Sequence, residues 1–203
     1  MENRELFNLV KTIRNVARQE GIDEVAIDKL ESNPKVETST LKKYFSDDKQ
    51  IAQEIFKNEQ QVFEKIFSEE NFENNNAIDK LLKVSKMIAK HFSYLTPVLY
   101  HHYQEKYPLI FQQYFDQRAE SVFRRIQENL VSGMQQGYYR NDLSVELVAR
   151  GYISRLIDLY NPTNFPAEEF SFDAFFNQMF ETFVLSIVTE KGKQYWESKR
   201  EVN

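Results

Sequence analysis

Residues 36–51 read VETSTLKKYFSDDKQI, a short polar helical stretch joined to a longer one through the aromatic pair Tyr44 and Phe45. Leu41 and Phe45 share one helix face, and Val36 just ahead of them helps to anchor it. Ser39, Lys42 and Lys43 fall at i, i+3 and i+4 on the other side, with Thr38 one turn before Lys42. One face is therefore apolar, and the other carries hydroxyls and ammonium groups. Such a face donates to phosphate oxygens and base edges in a major groove, which is about as wide as a helix. Lys and Ser are also ordinary surface residues, so the same pattern fits a plain solvated face. The flanking sequence decides between the two.

Upstream, Leu6, Leu9, Val10, Ile13, Val16 and Ala17 repeat at three and four residues, which predicts an amphipathic helix over 4–20 closed by a left-handed Gly21. Asp23 is placed to cap a short helix that turns Ala26, Ile27 and Leu30 inward, and Ser32-Asn33-Pro34 stops it. Helix, short helix, turn, short helix is the order of a helix-turn-helix unit. Downstream, Asp47 and Gln50 form a capping-box pattern opening a helix to about 68, with Ile51, Ile55, Phe56, Phe63 and Ile66 on its apolar side.

The Asn-rich stretch 68–76 reads as a loop, and a fifth helix starts at Ala77. Thr96-Pro97 and Tyr107-Pro108 open a short sixth helix and a long seventh one, which Gly137 closes. An eighth helix is expected from a Ser144 cap to near Tyr160, and a Pro-containing loop follows over 161–171. A Phe-rich helix then covers 172–189, and Tyr195 and Trp196 in the charged tail are placed to dock back. No alternating strand pattern occurs, so the fold class expected is all-α with about nine helices.

Five Gly and five Pro against 17 Phe and 11 Tyr in 203 residues agree with long packed helices rather than many tight turns. The chain has no Cys, which excludes disulfides and thiolate chemistry and fits a reducing cytoplasm. The opening MENRELFNLVK lacks the order of a signal peptide, and no apolar run nears membrane-spanning length, so a cytoplasmic protein with no membrane partner is expected. A net charge of −5 argues against a nonspecific nucleic-acid coat but leaves room for a specific reader, where the charge of one face matters. Around the stretch in question Lys35, Lys42, Lys43 and Lys49 oppose Glu37, Asp47 and Asp48.

Enzymatic chemistry finds little to work with. The histidines are His91, His101 and His102, none in an H-E-x-x-H pattern, and adjacent His101 and His102 point about 100° apart on a helix. There is no glycine-rich phosphate loop and no nucleophile elbow. No catalytic residue, cofactor or metal is expected.

The helix order, together with two motifs, resembles the tetracycline-repressor (TetR/AcrR) family of transcriptional regulators. The first motif is Val36, Thr40, Leu41, Tyr44 and Phe45 at the family's usual distance from the glycine ending the first helix. The second is the turn Gly137-Tyr138-Tyr139-Arg140-Asn141-Asp142-Leu143. The chain departs from the family pattern in the same region. Val25-Ala26 stands where a Ser or Thr usually caps the second helix, Leu30-Glu31 in place of Ile-Ala, Pro34-Lys35 in place of Ala-Gly, and Lys42 in place of a backbone-contacting Tyr. Asp48 stands where a Lys is common, with Lys49 one position later.

The resemblance implies a DNA-binding head over 1–46 and a ligand-binding and dimerisation domain over 47–203. It places Thr38, Ser39, Thr40, Lys42, Lys43, Tyr44 and Lys49 on a double-stranded DNA operator. It also implies a small apolar or aromatic effector among Phe92, Tyr94, Tyr100, His101, His102, Tyr103, Tyr107, Phe111, Tyr114 and Phe115, an aromatic set that core packing would equally explain. Few contacts fit one small head, so specific binding calls for a homodimer. The broad apolar faces of the last two helices, with Tyr152, Ile153, Leu156, Phe176, Phe180 and Phe183, are the expected interface. The function implied is a ligand-responsive regulator acting as a repressor. The alternative is a dimer of the same fold that no longer binds DNA and serves as a small-molecule or protein binding module.

Overall fold

A computed structural model of the chain describes residues 2–68, 72, 75–92, 97–158 and 172–200, apart from the side chains of 2, 3, 91, 92, 97–100, 172, 173 and 200. Ten α-helices run through these residues: α1 Glu2–Glu20, α2 Ile27–Ser32, α3 Thr38–Tyr44, α4 Asp48–Ser68, α5 Ala77–Phe92, α6 Pro97–Lys106, α7 Pro108–Gln135, α8 Val145–Asp158, α9 Phe172–Ile187 and α10 Glu190–Arg200. The described residues contain no strand, only an isolated bridge between Tyr139 and Val188, so the all-α expectation holds. None of the described helices is long and apolar enough to cross a membrane. The loops expected over most of 68–76 and over 161–171, and the Thr96 cap, lie outside the described residues.

The chain packs as two units, one of residues Met1–Glu64 with Leu99–Phe115 and one of Lys65–Val98 with Asp116–Asn203. In the first, the α1 stripe Leu9, Val10, Ile13 and Val16 is buried with Leu30, Leu41 and Phe45 and with Ile51, Ala52 and Ile55 of α4. Gly21 differs from expectation. Its φ of 107° and ψ of 160° put it in the extended region open essentially to glycine alone, not in the left-handed helical one, because the chain passes straight into a 3₁₀ turn, Ile22–Val25. Asp23 sits inside that turn and caps nothing.

The local signals downstream are met. Asp47 Oδ1 accepts the Gln50 amide at 2.8 Å, while Gln50 Oε1 reaches back to the Ser46 amide at 2.8 Å, closing the box one residue early.

The second unit is built on α5, α7, α8, α9 and α10, with Ile78, Leu130, Tyr139, Phe176, Val184 and Ile187 among its most buried side chains. Gly137, at φ 73°, ends α7 in a Schellman arrangement, with Tyr138 N–H on Gly133 C=O at 2.9 Å and Gly137 N–H on Met134 C=O at 3.0 Å. The Arg140 guanidinium grips the Asp142 carboxylate at 2.8 and 3.0 Å and so fixes the turn. Arg140 N–H donates to Ile187 C=O at 2.9 Å, pinning the turn to the end of α9. The tail docks as expected: Trp196 is buried, and Tyr195 donates to Asp79 of α5 at 2.7 Å.

Four residues of the expected interface lie in the chain's own core: Tyr152, Phe176, Phe180 and Phe183 are buried there, with the Tyr152 and Phe183 rings 4.6 Å apart. Ile153 and Leu156 are half-buried. Among the described residues, the large apolar side chains exposed on these helices are Leu147, at 71%, Ile157 and Leu185.

Candidate nucleic-acid interface

The first unit carries the candidate site on α3. Val36, Leu41 and Phe45 are buried and anchor the helix as their spacing requires, while Ser39, Lys42 and Lys43 are exposed and Tyr44 is half-buried. Thr40 is only 9% exposed and turns onto Glu37, so it leaves the presumed reading face. It follows Ser39 by about 100° around the helix, which carries it to the side of Leu41.

The turn ahead of α3 is held from behind. Asn33 Oδ1 accepts the Lys35 amide at 3.0 Å, and its carbonyl accepts the Val36 amide at 3.0 Å, a turn with Pro34 inside. Lys35 in turn reaches Glu20 at 2.6 Å and Gln19 at 2.8 Å at the end of α1.

The second helix of the motif has no cap of its own, since Ala26 supplies no side-chain oxygen. The missing acceptor comes from α4: Asp48 Oδ1 takes the Ile27 N–H at 2.7 Å, and Oδ2 takes the Lys106 ammonium of α6 at 2.9 Å. Burial alone would raise the Asp48 carboxyl, but hydrogen bonds from Lys106 and the Ile27 amide outweigh it and hold the group below its ordinary value. Sequence reasoning missed this role for Asp48. The bare Ala26 was the visible signal, and its partner lies 21 residues away.

Every polar side chain along α3 is engaged within the unit. Thr38 donates to the Glu31 carbonyl at 3.1 Å, and Ser39 and Thr40 both donate to the Glu37 carboxylate at 2.8 Å. Lys42 pairs with Glu31 at 3.2 Å. Lys43 donates to Glu5 of α1 at 2.6 Å, and the Tyr44 hydroxyl donates to the same oxygen at 2.7 Å. The bonds from Lys43 and Tyr44 lower the Glu5 carboxyl, and the bond to Glu5 raises the Tyr44 phenol. Lys49 is exposed and has no ion-pair partner among the described residues. Exposed pairs of this kind contribute little, so phosphate oxygens compete for the same ammonium groups at small cost.

The expected effector residues divide. Phe92 and Tyr100 lie outside the described side chains. Tyr103, Phe111 and Tyr114 are buried around Phe56, at ring separations of 5.1, 6.1 and 4.7 Å, and half-buried Phe115 stacks on Phe111 at 4.9 Å. His101 points to the surface, 3.4 Å from Glu105, rather than toward the aromatic rings. His102 takes the inward place instead. With Tyr103, Lys106 and Tyr107 it lines a small cleft against Asp48 and the Ile22–Val25 turn.

The chain has the helical fold of TetR-type transcriptional regulators. A transcriptional regulator from Saccharomonospora viridis, solved with choline, superposes with a TM-score of 0.66 at 14% identity, covering 92% of this chain and 97% of that one. The fatty acid degradation regulator FadR from Bacillus halodurans gives 0.60 at 16% identity, over 87% and 96%. A TetR-family regulator from Syntrophomonas wolfei gives 0.59 at 11% identity, over 90% and 94%. No protein-family model matches the sequence, and no curated protein matches it.

Proposed function

We propose that the chain is a homodimeric, ligand-responsive DNA-binding regulator that represses transcription, with residues 1–46 as the reading head and 47–203 for effector binding and dimerisation. One observation carries this reading. The scaffold of α3 is buried, while its opposite face presents Ser39, Lys42 and Lys43, with Lys49 exposed at the start of α4. A pair of such heads about one DNA turn apart, roughly 34–36 Å, supplies the contacts that one head lacks. The dimer surface that fits is the outer side of α8 and α9, with Leu147, Gly151, Ser154, Ile157 and Leu185 all exposed. The aromatic residues around Phe56 suit a small apolar or aromatic effector. Regulation of fatty acid degradation and choline binding among proteins of the same fold support a small-molecule effector.

The test is fluorescence anisotropy with the DNA flanking the protein's own gene. The wild type binds with strong salt dependence, and Lys42→Ala with Lys43→Ala abolishes most of the affinity. A folded dimer that shows no salt-sensitive binding refutes the proposal. That outcome favours a binding module without DNA, for which the occupation of Lys42 and Lys43 by Glu31 and Glu5 is the supporting observation.

A further inference from the structure

We infer that Glu5 and Glu31 are intramolecular stand-ins for DNA phosphates, an acidic latch that occupies the reading face in the free protein and must be displaced when duplex binds. This rests on the DNA-binding reading above and adds a regulatory device to it. The geometry is that of a phosphate contact made in advance. One oxygen of Glu5 collects two donors, Lys43 Nζ at 2.6 Å and Tyr44 Oη at 2.7 Å, as a backbone phosphate oxygen would. The Glu31 carboxylate meets one donor, the Lys42 ammonium, at 3.2 Å. Glu5 and Glu31 lie on two different helices, α1 and α2, yet both converge on the third.

None of these five side chains is buried, so the latch is not a fold requirement. The Lys43 ammonium is about half exposed, as is the Glu5 carboxylate. Such pairs open readily in water. The consequence is thermodynamic. A lysine that binds duplex from solution releases a condensed counterion, whereas a lysine that first leaves a carboxylate also leaves behind an anion that takes up a cation. The net release falls, and the unpaired carboxylate repels the phosphates it faces. The latch lowers affinity for any duplex and flattens its salt dependence, leaving sequence contacts a larger share of the binding.

The experiment needs no operator. A random-sequence 24-base-pair duplex is titrated against the full-length protein over a series of salt concentrations, for wild type, Glu5→Gln/Glu31→Gln, and Glu190→Gln/Glu197→Gln. The last pair removes the same charge from α10, which contributes nothing to the helix-turn-helix. Circular dichroism confirms the fold of each. The expected result is duplex affinity raised about tenfold by Glu5→Gln/Glu31→Gln at low salt, with a log–log salt slope steeper by up to about 0.9 for each lysine freed. The α10 pair should move neither quantity comparably. If wild type and Glu5→Gln/Glu31→Gln both bind with equal affinity and slope, the latch is refuted while DNA binding stands. If the α10 pair gives the same gain, the effect is net charge and the latch is also refuted. If no variant binds duplex even at low salt, latch and DNA reading fall together.

Discussion

Replacing Asp48 separates the two duties of one carboxylate. Asp48→Ala removes both the acceptor for the Ile27 amide and the partner of Lys106, whereas Asp48→Asn keeps an oxygen for the amide and loses only the charge. A lost helix cap costs about 0.5–2 kcal/mol. The Lys106 pair, with both side chains partly exposed, contributes about 0.2–1 kcal/mol. Asp48→Ala should therefore cost about 2 kcal/mol and Asp48→Asn about 0.5 kcal/mol. For a chain of this size, 2 kcal/mol corresponds to a fall in Tm of about 6 °C.

Urea denaturation measures the global loss, and amide exchange localises it. The α2 amides should lose protection by roughly tenfold for each 1.4 kcal/mol. The pH dependence has a fixed sign. The folded carboxyl lies below its unfolded value, so its contribution is complete above about pH 4 and is lost as pH falls through the folded value. The gap between wild type and Asp48→Asn should be flat from about pH 5 to 8 and close in stronger acid. Equal losses for Asp48→Ala and Asp48→Asn would refute the cap, because the charge would then account for everything.

Three further variants test the second unit. A Cβ on Gly133 would stand 2.0 Å from the buried ring of Tyr139, so Gly133→Ala should destabilise by about 1–3 kcal/mol in urea, with the penalty reduced when Tyr139 is also truncated. If the chain forms the proposed dimer, Leu147→Glu with Leu185→Glu should convert it to a folded monomer in sedimentation velocity. Phe183→Ala should cost about 3–5 kcal/mol in folding stability, because that ring is buried within the protomer.

What was legible in the sequence was local. The α1 stripe and the turn at Gly137 are set by residues within one or two turns of each other, and both formed as their spacing requires. The α9 phenylalanines show where this stops. A helix apolar over most of its circumference announces burial but not what it is buried against, and Phe176, Phe180 and Phe183 proved to serve the protomer's own core. Contacts such as Glu5 with Lys43, 38 residues apart, depend on where three helices meet and leave no periodic trace.

The departures from the family pattern take on a different meaning once placed in space. Ala26 lacks a cap, and Asp48, itself a departure, supplies it. Glu31 and Lys42 are both unusual, and they pair with each other. Lys35, in the altered turn, reaches Glu20. Ala26, Glu31, Lys35, Lys42 and Asp48 thus each have a partner that makes them locally consistent, which is how a structure that is still specified looks, rather than one eroding at random. Glu31 and Glu5 meanwhile hold the cations Lys42 and Lys43 of the exposed α3 face. On the proposed reading, the affinity of this face for duplex is set by how easily two carboxylates give way, a quantity that the salt slope reads directly.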